Sequence, residues 1–221
     1  MSKVLQVNLA VPERTDVKGV GVTGINKQPV THPVEVTAPG PKNTAPPSRA
    51  SGLAGDEIHD LANHGGTDQA VYAYAREDYE WWEKELDRPL PGGIFGENLT
   101  TAGIDINTTL LGERWRIGST LVLETTFGRI PCATFQWKMQ EPRWVKRFSQ
   151  EARPGVYFRV VTPGPVQAGD EITVLERPSH GVTVSESFRA WLFEPAKLAS
   201  YLELDDYPEG QKAEIRQRLR L

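Results

Sequence analysis

The sequence predicts a mainly β chain with helices, of the α+β class. A closed or sandwich-like β domain spans residues 1–177 and a three-helix module spans residues 178–221. Three observations predict this. Short runs rich in β-branched residues recur along the first part, broken by Gly- and Pro-rich turns, and many such strands favour a barrel or sandwich. After Arg177-Pro178 the pattern changes to apolar residues at helical spacing behind a capping box. A single cysteine rules out an internal disulfide, so burial of apolar surface must hold the fold.

Residues 4–11 read as a first strand, and residues 20–25 and 34–36 as short successors. Residues 38–48 form a loop, because Pro39, Pro41, Pro46 and Pro47 fit neither a helix interior nor a central strand. A helix is expected over 76–86, with Tyr79, Trp82 and Leu86 on one stripe and Pro89, Pro91 and Gly92-Gly93 ending it. Strands return at 115–118, 120–126 and 156–161, and residues 166–175 supply a turn and a last strand. Thr183 and Glu186 then fit a capping box ahead of the stripe Phe188, Trp191 and Leu192. Pro195 and Pro208 open two more helices, carrying Leu198 and Leu202, and Ile215 and Leu219. Three helices this short do not fold alone, so they pack on the β domain or on a second subunit.

Composition excludes several functions. The net charge is −4, without a block of Lys or Arg, which argues against duplex nucleic acid. Lys3 and Asn8 stand where a secretory signal needs an apolar run, and no stretch approaches the ~20 apolar residues of a membrane span. A cytoplasmic location, without membrane association, is the expectation. No nucleophile elbow, phosphate-binding loop or dinucleotide fingerprint occurs.

Three segments carry candidate chemistry. Cys132 follows Pro131, which stops a strand and presents the thiol from a turn. Arg129 nearby favours a thiolate, so Cys132 reads either as a reactive or ligating thiol or as a small buried apolar residue. His64-Gly65-Gly66 combines an imidazole with two conformationally free residues whose backbone N–H groups suit a phosphate. His59 and His64 lack the spacing of a helical zinc motif. Glu97 and Asn98 lie on a Gly-flanked loop, as ligand contacts or as turn residues. Trp81, Trp82, Trp137 and Trp144 read as core or interface, and Lys138, Arg143, Lys146 and Arg147 as a solvated face.

Taken in order, four blocks resemble the MOSC domain, the fold named after the C-terminal part of molybdenum-cofactor sulfurase, in its YiiM-like branch. They are residues 23–30, the run 55–72, residues 95–99, and Arg129-Ile130-Pro131-Cys132, with the three helices following as in that branch. The resemblance implies a β-barrel-like fold binding the molybdenum cofactor (molybdenum on molybdopterin), not pyridoxal phosphate. Cys132 is then the molybdenum ligand, and Cys132 and His64 are the catalytic pair. His64, Gly65 and Gly66 line the cofactor pocket, Lys27 and Arg129 face its phosphate or pterin, and Glu97 and Asn98 are further pocket candidates. It implies reduction of small N-hydroxylated compounds such as hydroxylaminopurine base analogues. Electrons come from a separate flavoprotein or iron–sulfur reductase, since one cysteine holds no cluster. A homodimer is a further expected partnership. Two departures bear on the pocket: a longer Pro-rich insert before Gly52, and Ala133-Thr134 where the branch has an aromatic and a basic residue. Rival readings are a persulfide carrier on Cys132, a non-catalytic module whose tail recruits a partner, and a thiol hydrolase using Cys132 and His64.

Overall fold

The computed structural model describes all residues, Met1–Leu221. The first strand is β1 (Lys3–Ala10), followed by the short β2 (Glu13–Arg14), β3 (Val22–Thr23), β4 (Lys27–Val30) and β5 (Val34–Val36). After the Pro-rich loop come β6 (Val71–Ala75), helix α1 (Arg76–Leu86), β7 (Leu99–Ala102), β8 (Arg114–Ile117) and β9 (Leu121–Thr125). Helices α2 (Ala133–Met139) and α3 (Trp144–Glu151) lead to β10 (Val156–Thr162), β11 (Gly164–Val166) and β12 (Ile172–Glu176). The tail is α4 (Val184–Phe193), α5 (Pro195–Ser200) and α6 (Glu209–Leu219). No helix is long and apolar enough to cross a membrane.

Eight strands form one sheet in the order β12-β8-β9-β10-β6-β7-β1-β4. The sheet curls until β12 meets the start of β1: the Val4 amide donates to Asp170 at 2.9 Å and the Ile172 amide to Ser2 at 2.9 Å. This near-closure protects the row of unpaired groups that a sheet edge exposes. Only β6 and β7 run parallel, joined by α1 as a crossover, because a parallel pair needs a long connection. Pro29 sits in β4, the strand at one end of the order, where a missing N–H is tolerated.

Two cores flank β6. Alternation along the strand sends Val71, Ala73 and Ala75 into a barrel core of 27 buried residues. It sends Tyr72 and Tyr74 into an aromatic cluster of 14, where Trp82, Phe95, Trp144 and Phe148 meet. With both faces covered, all five residues of β6 are buried. Its apolar–polar alternation is therefore absent from the sequence, which is why residues 71–75 give no strand signal. The barrel core also contains Val184, Ala190, Leu198, Tyr201 and Ile215. The tail helices thus pack on the β domain and share its core.

The structure corrects the sequence reading in two other places. Residues 133–139 and 144–151, read only as core aromatics and a charged face, are helices α2 and α3. Each buries one pair four residues apart, Phe135 with Met139 and Trp144 with Phe148, a stripe too short to register as helical periodicity. Of the four charges, Arg143 and Lys146 are exposed. Lys138 is half-buried and donates to Asn26 at 2.8 Å, while Arg147 lies 5.6 Å over the Trp82 ring. The segment containing Glu97 and Asn98 is a loop, but it runs directly into strand β7.

The capping box forms as the sequence predicts. The Glu186 amide donates to Thr183 Oγ1 at 3.1 Å, and the Thr183 amide to Glu186 Oε2 at 3.2 Å. Thr183→Ala is expected to lower the unfolding free energy by about 1 kcal/mol. In urea titrations the midpoint falls while the denaturant slope stays unchanged.

Candidate functional site

Residues 126–132 connect β9 to α2 along the rim of the barrel. The segment is pinned at three points. The Thr126 amide donates to Tyr157 at 2.9 Å, the Tyr157 amide to Phe127 at 2.8 Å, and the Arg129 amide to Pro154 at 3.2 Å. Pro131 offers no donor, the chain leaves the sheet, and Cys132 becomes the residue before α2 with extended backbone, φ −128° and ψ 174°. The thiol, partly buried, faces an open cleft together with Arg129, Lys27, His64, Tyr72 and Tyr157.

Arg129 is the unusual residue of this cleft. Only 6% of it is exposed, yet no carboxylate pairs with it and its Nε has no hydrogen-bond partner. Its guanidinium lies 4.7 Å over Phe135 and 5.3 Å over Tyr72, held by aromatic faces. Gly96 leaves room for it, since a Cβ there would stand 3.1 Å from Nη1. Burial acts to raise the Cys132 thiol, but it is outweighed by a hydrogen bond from His64, the Arg129 charge and the Phe135 amide. The net result is a thiol lowered to about 6, so Cys132 is largely thiolate at neutral pH.

The second cation is neutralised. Lys27 is 6% exposed and forms a hydrogen-bonded ion pair with Asp56, itself 1% exposed. Asp56 also accepts from the Ala10 amide at 2.7 Å and from Asn98 Nδ2 at 2.9 Å. Burial raises the Asp56 carboxyl, but Lys27 and the donors Ser51 and Asn98 overcome it and hold the group below its ordinary range. The cleft therefore holds one cation paired with a carboxylate and one, Arg129, set against the Cys132 thiolate, while Glu57 and Asp60 line the same cleft.

The other expected residues divide between wall and support. His64 lines the cleft with its Nε2 3.9 Å from Asp60, too far for a hydrogen bond. Gly65 and Asn98 also line it. Gly65 and Gly66 both have positive φ, 79° and 81°, as expected of glycine. Their amides are not free for a phosphate, however. Gly65 donates to Gln69 Oε1 at 3.1 Å and Gly66 to the Ala50 carbonyl at 3.0 Å. The Pro-rich insert packs so closely on this turn that a Cβ on Gly66 would stand 2.6 Å from the Lys42 nitrogen. Glu97 lies behind the wall, accepting from Gly93, Thr100 and Tyr79. Asp56, Gln69, Tyr72 and Tyr157 went unread in the sequence. Asp56 and Gln69 stand inside the His64 run, but only the fold brings Lys27 and Tyr157 to them. No cluster of three or more His, Cys, Asp or Glu side chains suited to a metal ion occurs, so Cys132 can join only a centre whose other ligands come from elsewhere.

The curled barrel thus opens a cleft in which a lowered thiol stands beside a buried guanidinium. The MOSC domain profile matches residues 60–173, and the chain belongs to the MOSC domain family. It is 34% identical over 182 residues to the uncharacterized protein YflK of Bacillus subtilis, covering 82% of this chain and 76% of that one. It is 35% identical over 133 residues to a protein of Gibberella moniliformis named reductase, covering 58% of this chain and 23% of that longer one. Its fold matches the crystal structure of YiiM from Geobacillus stearothermophilus with a TM-score of 0.75 at 24% identity, over 99% of this chain and 100% of that one.

Two measurements check the electrostatics. Alkylation of Cys132 in metal-free protein is expected to rise through a midpoint near pH 6, because the thiolate persists down to that value. His64→Ala moves the midpoint upward by removing the strongest of the influences that lower it. Asp56→Asn leaves Lys27 buried without its counter-charge and is expected to cost roughly 3–5 kcal/mol in denaturant unfolding.

Proposed function

We propose that this protein binds the molybdenum cofactor through Cys132 and reduces small N-hydroxylated compounds, R–NHOH to R–NH2 and water. The reaction consumes two electrons and two protons. The observation that carries the reading is the pairing of a thiolate with Arg129, a buried guanidinium that has no counter-acid and an orphaned Nε. That donor set fits the group. A soft thiolate suits a high-valent molybdenum, and an unpaired guanidinium suits the phosphate or the polar pterin edge of its organic part. MOSC domains are associated with this cofactor, and the relative named reductase supports an oxidoreductase.

When bound, the cofactor supplies the two-electron chemistry that removes oxygen from nitrogen. The chain's own residues do the rest. Cys132 holds the metal from a rigid turn. Arg129 compensates negative charge in a site partly withdrawn from water, where the pairing is stronger than at the surface. Lys27, fixed by Asp56, offers remaining N–H donors without adding net charge. His64, in the wall beside Cys132, is placed to deliver a proton to the departing oxygen. With one cysteine the chain holds no iron–sulfur cluster, so the electrons arrive from a separate flavoprotein or iron–sulfur protein.

Protein freshly purified from a cofactor-competent host is expected to contain molybdenum and to reduce an N-hydroxylated purine with a supplied electron donor. Cys132→Ser loses both the metal and the activity. Arg129→Met weakens cofactor retention by about tenfold or more, corresponding to about 1.4 kcal/mol. A sulfur adduct on Cys132 with neither molybdenum nor pterin would instead identify a persulfide carrier, and full activity in Cys132→Ser would remove the thiol from the chemistry.

A further inference from the structure

Between β1 and β4 the chain leaves the barrel sheet and returns as a small hairpin, the strands β2 and β3 joined by residues 15–21. The hairpin adds nothing to either core, since residues 11–22 include none that is buried. Its ladder has two residue pairs, Glu13 with Thr23 and Arg14 with Val22. Further bonds stay inside it: the Thr15 amide donates to Gly21 at 3.0 Å, and the Val17 amide to Thr15 Oγ1 at 3.1 Å. At the tip, no atom stands within 4 Å of a Cβ added at Gly19 or Gly21. A segment with so few outside contacts opens locally while the rest of the fold stays intact.

The base of the hairpin is fixed. The Val11 amide donates to the Asn26 carbonyl at 2.8 Å, and a Cβ on Gly24 would clash with the Glu57 carbonyl oxygen. Above the base, Lys138 ties the hairpin to the body of the protein. Its Nζ lies 3.5 Å from Glu13 Oε1 and donates to Asn26 Oδ1 at 2.8 Å. Lys138 belongs to α2, the helix directly preceded by Cys132. The tie and the thiol therefore share one element.

The same hairpin walls the Cys132 cleft. Val20 and Val22 line it, and Thr23, Gly24 and Ile25 continue that wall down to the base. Val22 is nonetheless 37% exposed. Valines that face a cleft without being covered have apolar area left to bury, and movement onto an occupant buries it. We propose that residues 12–23 are a lid on the Cys132 cleft. The lid is hinged at its fixed base, latched by the Glu13–Lys138 pair, and closes by carrying Val20 and Val22 onto the occupant. Such lids admit a ligand when open and withdraw it from water when closed. The proposal does not depend on which ligand Cys132 holds.

The test follows alkylation of Cys132, the single thiol, in the metal-free full chain. It compares iodoacetamide with the bulkier fluorescein-5-maleimide, each rate divided by that for a free thiol. The bulky reagent is expected to lag in the wild type. Glu13→Ala removes a partly exposed ion pair and is expected to speed the bulky reagent by about two- to fivefold, leaving iodoacetamide unchanged. Replacing residues 14–22 with Asn-Gly, a two-residue turn between the paired Glu13 and Thr23, is expected to abolish the lag. Closure is read by trypsin cleavage after Lys18. A benzyl group placed on Cys132 with benzyl methanethiosulfonate is expected to slow that cleavage, as Val20 and Val22 close on the ring. The proposal is overturned if both reagents respond alike to Glu13→Ala, if the shortened hairpin keeps the lag, or if the benzyl group fails to slow cleavage. Should the shortened chain not fold, Glu13→Ala and the trypsin rates decide. None of these readouts uses molybdenum or reductase activity, so their failure is separate from failure of the cofactor reading.

Discussion

The double burial of β6 is the constraint on which the rest of this structure depends. Val71, Ala73 and Ala75 face the barrel while Tyr72 and Tyr74 face the aromatic cluster. A strand covered on both sides has no tolerance for register slip, because a one-residue shift would exchange small residues for tyrosines in both cores. The parallel pairing to β7 and the α1 crossover follow from it, as do the positions of Asn98 and Tyr72. Asn98 Oδ1 accepts from the Tyr72 amide at 3.1 Å, tying the loop before β7 to the strand itself.

The cleft inherits its chemistry from that arrangement. The aromatic cluster extends to Phe135 and Tyr157, and these rings, with Tyr72, surround Arg129 in place of a carboxylate. Aromatic faces attract a cation but do not neutralise it, so the charge remains available to the Cys132 thiol. Lys27 shows the alternative: with Asp56 and its satisfied oxygens, a cation of similar burial becomes a fixed structural element. Two buried cations within one cleft thus have opposite environments, one beside a carboxylate and one among aromatic rings.

The tail helices complete the β domain. Val184, Ala190, Leu198 and Ile215 belong to the barrel core, and the Val184 amide donates to Thr109 at 2.8 Å. Docking of α4 and α6 also creates a second cleft, whose other wall is the segment that presents Cys132. The β domain and the tail therefore adjoin on both sides of one short rim.

Strong local signals were legible before any coordinates. The α1 helix, the capping box at Thr183, the tail helices and the outer strands declare themselves through spacing and turn chemistry, which act within a few residues. Cys132 was legible as a turn-presented thiol because Pro131 has the same effect in any fold. Gly65 and Gly66 were legible as positions of unusual backbone, but not as donors already occupied by Gln69 and Ala50. Strand β6 and helices α2 and α3 were not legible, since two-sided burial erases alternation and a single buried i,i+4 pair is too weak a period. The pairing of Lys27 with Asp56, and the isolation of Arg129 among aromatic rings, were settled only in three dimensions. Charge compensation between residues far apart in the chain is a property of contact, and sequence alone determines the charges without deciding which of them meet.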